Sequence, residues 1–239
     1  MSRNNSAQRD GSKLDTIGEG LSRMKADMSS GLGQADLTLK YDHHKGGQKG
    51  GLRVKDFQVA SAEFFGTFFL ALIIAGSKKA LSPDLVPFGI GVALVSLVYC
   101  TGPVSGGQLN PAVTLGLVMR NHLSLFEACY CIVSQFLGAM LAGAVCYALY
   151  DSEWSNVGFP SVSNTSDKNS RPRAFVGEML QAFALTTTVL NVATTKAQKN
   201  NSYFGLAIGF ILLAGALVMG EISGACFNPA IGNINMCNI

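Results

Sequence analysis

Charge is scarce through most of this 239-residue chain. Asp, Glu, Lys and Arg together make up 14% of it, where an ordinary globular protein carries roughly a quarter. The shortage is also uneven. Residues 1–56 hold ten of the eighteen Lys and Arg and seven of the fifteen Asp and Glu, which accounts for the whole net charge of +3. The other 183 residues carry eight of each sign. That is too little charge to coat a soluble domain of such a size, so this part is expected to sit in lipid. The basic residues form no stripe and have no aromatics between them, which argues against a nucleic-acid surface. The six cysteines lack zinc spacing; Cys129 and Cys131 are one residue apart, and all six lie in or beside apolar runs as small hydrophobes. No nucleophile–base pair, glycine-rich phosphate loop or metal cluster is present, so an enzyme, a cofactor and a metal are not expected. His43 and His44 have no third ligand nearby and read as a solvated pair. The opening "MSRNNSAQRDGSKLDTIGEG" has no apolar core and is no signal peptide.

What is abundant is apolar sequence in lengths that cross a bilayer. Residues 1–56 read as a polar, disordered tail rich in Gly, Ser and Lys. Five runs follow: Phe57–Gly76, Leu85–Gly102, Leu125–Tyr150, Ala174–Thr194 and Tyr203–Gly220. Each is near the ~20 residues that span ~30 Å of hydrocarbon at 1.5 Å per residue. Helix is the only open choice, because an isolated strand would leave backbone groups unpaired in lipid. Lys40, Lys45, Lys49, Arg53 and Lys55 precede the first run and place the N-terminus in the cytosol, with Arg120, Lys196 and Lys199 on the same side. Lys78, Lys79, Lys168, Arg171 and Arg173 then fall on the outer links. The outer link between the third and fourth runs contains Asn164-Thr165-Ser166, a glycosylation sequon. The choice between a plasma membrane and an internal membrane such as a vacuole stays open.

Two polar segments interrupt this pattern. "SGGQLNPAVTLG" (Ser105–Gly116) and "SGACFNPAIGN" (Ser223–Asn233) share S-G-x-x-x-N-P-A. Asn110 and Asn228 are 118 positions apart, and Glu63 and Glu178 are 115 apart in "AEFFGTF" and "GEMLQAF". The chain therefore carries an internal repeat, and a repeat with an odd number of spans inserts its second copy upside down. Pro is favoured at the first helical position and Asn immediately before it. Asn110-Pro111-Ala112 and Asn228-Pro229-Ala230 thus read as the starts of two half-helices that enter from opposite faces. Their tips, each worth roughly +0.5 charge, would meet near the midplane, with the Asn amides offered to whatever passes. Such a pair repels cations while donating to a neutral oxygen.

On "AEFFGTF", "SGGQLNPAVTLG", "SQFLGA", "GLAIGF" and "SGACFNPA", the chain resembles the aquaporin family, the major intrinsic proteins, from about Phe57 to Ala230. The resemblance implies an all-α membrane fold of six tilted helices and two half-helices, one pore per subunit, and a tetramer formed with itself or with relatives. It implies that Glu63 and Glu178 are structural, accepting hydrogen bonds from the re-entrant loops. It places a pore constriction at Ile90, Ala216, Ala225 and Ile231. Members selective for water usually have an aromatic, a His and an Arg at those positions; here all four are aliphatic, Ile231 stands where Arg is usual, and Gln108 stands where His is common. A wider, donor-poor constriction is expected, passing water and also ammonia, urea, glycerol or hydrogen peroxide while excluding protons and ions. The second copy, however, departs from the first after Ala230. The sequence runs only 11 residues past Asn228, without a sixth span, so the expectation is five full helices, an incomplete second repeat (174–239 against 57–150) and a truncated or aberrant terminus. The competing reading is a non-conducting member that alters the assembly or trafficking of related channels.

Overall fold

The structure is a computed structural model that describes residues 54–150 and 169–232. The tail over 1–53, the Asn164 sequon, and the last residues from 233 lie outside that range. Among the described residues the elements are α1 (Val54–Ala80), α2 (Val86–Ser105), α3 (Pro111–Met119), α4 (Leu125–Leu149), α5 (Ser170–Thr194), α6 (Phe204–Ser223) and α7 (Pro229–Gly232), with a 3-10 turn at Lys196–Gln198. All are helical, and α1, α2, α4, α5 and α6 are long and apolar enough to cross a membrane. These five match the five apolar runs to within a turn at each end.

Local chemistry explains the boundaries. Pro87 occupies the first turn of α2, where its missing N–H costs nothing. Ser124 and Glu127 form a capping box at the start of α4: the Ser124 hydroxyl accepts from Glu127 N at 3.1 Å, and Glu127 accepts from Ser124 N at 3.2 Å. Gly106 and Gly224 take left-handed φ values of 90° and 82° and close α2 and α6 with matching bonds to the carbonyls of Gly102 and Gly220. Two boundaries depart from the sequence reading by four residues. α5 begins at Ser170, so Arg171 and Arg173 lie in its first turn and not on a link. α1 does not stop at Gly76; it continues through Ser77-Lys78-Lys79 to Ala80, because nothing before Ser82-Pro83 breaks a helix.

The spans pack through small residues. α1 lies against α4, where a Cβ on Gly138 would stand 2.3 Å from the Phe64 carbonyl oxygen. α2 lies against α6, where a Cβ on Gly209 would stand 2.7 Å from the Gly91 carbonyl and one on Gly205 2.8 Å from the Tyr99 ring. Both close approaches sit at helix crossings. α1 also packs on α2, and α5 on α6. α5 is the least covered of the five spans. Phe175, Met179 and Phe183, one turn apart, are all exposed on it.

The crossing at Gly138 gives a direct test. Gly138→Ala should destabilise the detergent-solubilised protein by roughly 1–3 kcal/mol, since its neighbour is backbone and cannot step aside. Gly220→Ala, whose Cβ would meet nothing within 4 Å, should change the unfolding temperature little. Thermal unfolding of the two variants side by side measures the difference.

Candidate functional site

The site is built where the two Asn-Pro-Ala segments meet. Asn110 is the N-cap of α3, with extended backbone, and its side-chain oxygen accepts from Ala112 N at 2.9 Å. Asn228 does the same for α7, accepting from Ala230 N at 3.1 Å. Each side-chain amide then reaches across to the other repeat. Asn110 Nδ2 donates to the Phe227 carbonyl at 2.8 Å, and Asn228 Nδ2 donates to the Leu109 carbonyl at 2.8 Å. The two half-helices are thus joined tip to tip by a reciprocal pair of bonds. α3 follows two spans and α7 follows five, so by parity their loops enter from opposite faces.

Leu109 and Phe227, the residues just before each Asn, were not singled out by sequence reasoning. They carry φ of 51° and 50°, a left-handed conformation that L residues with bulky side chains rarely adopt. Each carbonyl is held by the opposite Asn, and each N–H by the carboxylate of its own repeat. Leu109 N donates to Glu63 Oε2 at 2.7 Å, and Phe227 N donates to Glu178 Oε2. Two bonds per residue, one to a charge, hold the strain in place.

The two carboxylates bond the re-entrant loops unequally. Glu63 is fully buried. It accepts four bonds: from Ser105 Oγ at 2.6 Å, Gln108 N at 3.0 Å, Leu109 N at 2.7 Å and Gln135 Nε2 at 2.7 Å. Gln135 also donates to Thr114 Oγ1 at 3.0 Å, tying α4 to the first turn of α3. Glu178 is half-buried and accepts from Cys226 N at 3.0 Å and from Phe227 N. Gln135 is a third residue whose role the sequence did not reveal; its partners lie 72 and 21 positions away.

Beside the joined tips runs a narrow cavity of about 20 Å³, counted as room for the centre of a water-sized sphere. That is close to the space of one water. Its wall is mostly aliphatic, from α1, α2, α5 and α6. Its polar side chains are Gln108, Asn110 and Asn228, with the Cys226 thiol. The amide nitrogen of each Asn has two hydrogens, and the cross bond uses one. Only the second is available to the cavity, so the free donors are half of what the sequence suggested. Gln108 Oε1 is buried with no partner among the described residues.

Of the four constriction positions, Ile90 and Ile231 line the cavity. Both are buried, at 2% and 0% exposure. Ala216 and Ala225 are buried in the core but are not part of the cavity wall. Pro111 and Ala112 open α3, and Pro229 and Ala230 open α7.

The unequal carboxylates give the second test. In Glu63→Gln an NH2 group would face at least two of the four donors, so stability should fall by roughly 3–5 kcal/mol. Glu178→Gln, at a half-buried site with two donors, should cost about half as much. Thermal unfolding in detergent separates them, and equal losses would contradict the difference between four donors and two.

A family model described as major intrinsic protein matches residues 52–232. Aquaporin-5 of Ovis aries is 32% identical over 178 residues, covering 71% of this chain and 65% of that protein. Nodulin-26 of Glycine max is 32% identical over 178 residues, covering 71% and 63%. Aquaporin-4 of Mus musculus is 28% identical over 183 residues, covering 73% and 56%. The chain thus spans 56% to 65% of the length of these curated relatives. Among solved structures, the aquaglyceroporin from Plasmodium falciparum superposes with a TM-score of 0.65 at 23% identity, covering 76% of this chain and 81% of that one. At that identity the likeness concerns the fold.

Proposed function

The chain belongs to the major intrinsic protein family, and from that premise we propose that it is a passive channel for water and for small neutral solutes that excludes protons and ions. It is an integral membrane protein with several spans, which supplies the setting. The observation that carries the reading is the reciprocal pair of bonds from Asn110 to Phe227 and from Asn228 to Leu109. It brings two helix N-termini together beside a narrow cavity. One amide hydrogen of each Asn faces that space, so a water oxygen passing the junction is held by donors. A water held so has its own hydrogens turned outward, which interrupts a proton-conducting chain. The electropositive tips repel a cation at the same point. α7 contributes a single turn within the described residues, so α3 carries more of this field.

The aliphatic wall disfavours a charged solute, and the unpartnered Gln108 oxygen favours a water at its side. The small volume of the cavity favours water, ammonia and hydrogen peroxide. Urea and glycerol need Ile90 and Ile231 to move apart. Assembly as a tetramer, with itself or with relatives, and a cytosolic N-terminus belong to the same proposal.

Purified protein in liposomes tests it. Under an osmotic step the vesicles should shrink at least about fivefold faster than empty ones, with no added proton flux. Asn110→Leu should remove most of that gain, because it loses a cap and a lumen donor together. Ile231→Arg should lower peroxide or urea entry more than water entry. Vesicles that shrink at the empty-liposome rate would end the channel reading.

A second reading is favoured by the bare face of α5 at Phe175, Met179 and Phe183. There the chain joins assemblies of a related channel and lowers their permeability. Coexpression decides: a channel adds to the permeability of the relative, and a spoiler subtracts from it.

A further inference from the structure

Lys78 is a basic residue within the membrane-spanning helix α1, and neither the half-helices nor the carboxylates account for it. Leu70 and Ile74 of α1 line the cavity. Lys78 lies one further turn along the same helical face. Its side chain is half-buried, and its ammonium donates to the Gly224 carbonyl at 3.3 Å. Gly224 ends α6 and begins the second re-entrant loop. Cys226, two residues on, lines the cavity, and the Glu178 carboxylate attracts the Lys78 charge. The loop is therefore gripped from two sides. Glu178 takes its N–H groups at Cys226 and Phe227, and Lys78 takes its carbonyl at Gly224.

The grip exists in one repeat only. The offset of 115 that relates Glu63 to Glu178 carries Lys78 to Ala193. The pseudo-symmetric path thus has a cation at the Gly224 end and none at the matching position of the other end. An ionised group in the last turn of a spanning helix is costly to bury unless it has partners. Gly224 takes one of the three ammonium protons, so the rest of the group can face water.

We propose that Lys78 is the specificity-determining charge of the channel mouth at the Gly224 end. There it repels cations and favours neutral or anionic species, where Ile231 leaves the constriction uncharged. The proposal rests on the channel reading above, and its test reads the charge without needing conduction. Cys226 serves as the probe, in protein carrying Cys100→Ser, Cys129→Ser and Cys237→Ser. Its rate with an anionic sulfonate-bearing methanethiosulfonate is divided by its rate with a cationic ammonium-bearing one, and the ratio is normalised to a free thiol.

With Lys78 present, the normalised ratio should exceed one by at least threefold. Lys78→Gln should lower it by roughly tenfold, the size expected when a unit charge a few ångströms away is removed from both reagents' rates. Lys78→Arg should stay within about twofold of the parent, and Lys79→Gln, exposed on the same turn, should change nothing. A parent ratio near one, a Cys226 that reacts with neither reagent, or a Lys79→Gln effect as large as that of Lys78→Gln would each overturn the proposal. The parent ratio remains decisive even if Lys78→Gln fails to fold. Vesicles that do not shrink would remove the channel reading and leave the charge assignment standing. Shrinking vesicles with a parent ratio near one would do the reverse.

Discussion

Everything at the centre of this molecule hangs on the backbone of two residues, Leu109 and Phe227. Each stands in a left-handed conformation, gives its N–H to a carboxylate of its own repeat, and gives its carbonyl to the asparagine of the other. The positive φ is what turns the chain so that one group points each way. Without it the asparagine that follows could not cap its half-helix and reach across at once. The carboxylates are intelligible only from here. An acid inside a span is expensive, and these two are tolerated because the loop N–H groups would otherwise be orphaned in a low-dielectric interior. Loop and acid each remove the other's penalty.

The same arrangement accounts for the small residues around it. Gly66 of α1 faces Leu109, and a Cβ there would stand 2.4 Å from a Leu109 methyl. Gly116 of α3 faces Thr186 of α5 at the same distance. A re-entrant segment needs room inside a bundle of five spans. That room is made by deleting side chains along the helices that surround it, so glycine placement follows from the half-helices and not from helix propensity, which it lowers.

The sequence made the spans and the paired Asn-Pro-Ala segments legible because both signals are local. Apolar length marks a span, and Asn-Pro marks a helix start wherever it occurs. The repeat made the opposed entry legible through parity. Leu109, Phe227 and Gln135 were not legible. A left-handed φ on a leucine or phenylalanine has no compositional mark, and Gln135 meets partners on α1 and α3 that no short window contains. Lys78 was visible but misassigned. An apolar-run criterion ends α1 at Gly76, whereas the backbone keeps hydrogen-bonding through Ser77, whose carbonyl accepts from Leu81 N at 2.9 Å. Charge stops a hydropathy window and does not stop a helix. Counting back from the motifs led to Ile90 and Ile231, which line the cavity, and to Ala216 and Ala225, which are buried without lining it.

The repeat is symmetric in its backbone and asymmetric in its chemistry. Glu63 is sealed by four donors, while Glu178 is half-buried with two and shares its loop with Lys78. In a passive path such asymmetry cannot favour flow in one direction. At equilibrium the rates through any pore must balance whatever its ends look like, so the gradient alone sets the net flux. A difference between the two mouths can act only on what enters and how long it stays. In the proposed channel the junction of the two Asn-Pro-Ala tips is common to both directions, through the donors it offers and the cations it repels. On the proposed channel reading, discrimination among solutes is left to the parts the repeats do not share: the isoleucine pair beside the cavity, and Lys78 at the Gly224 end.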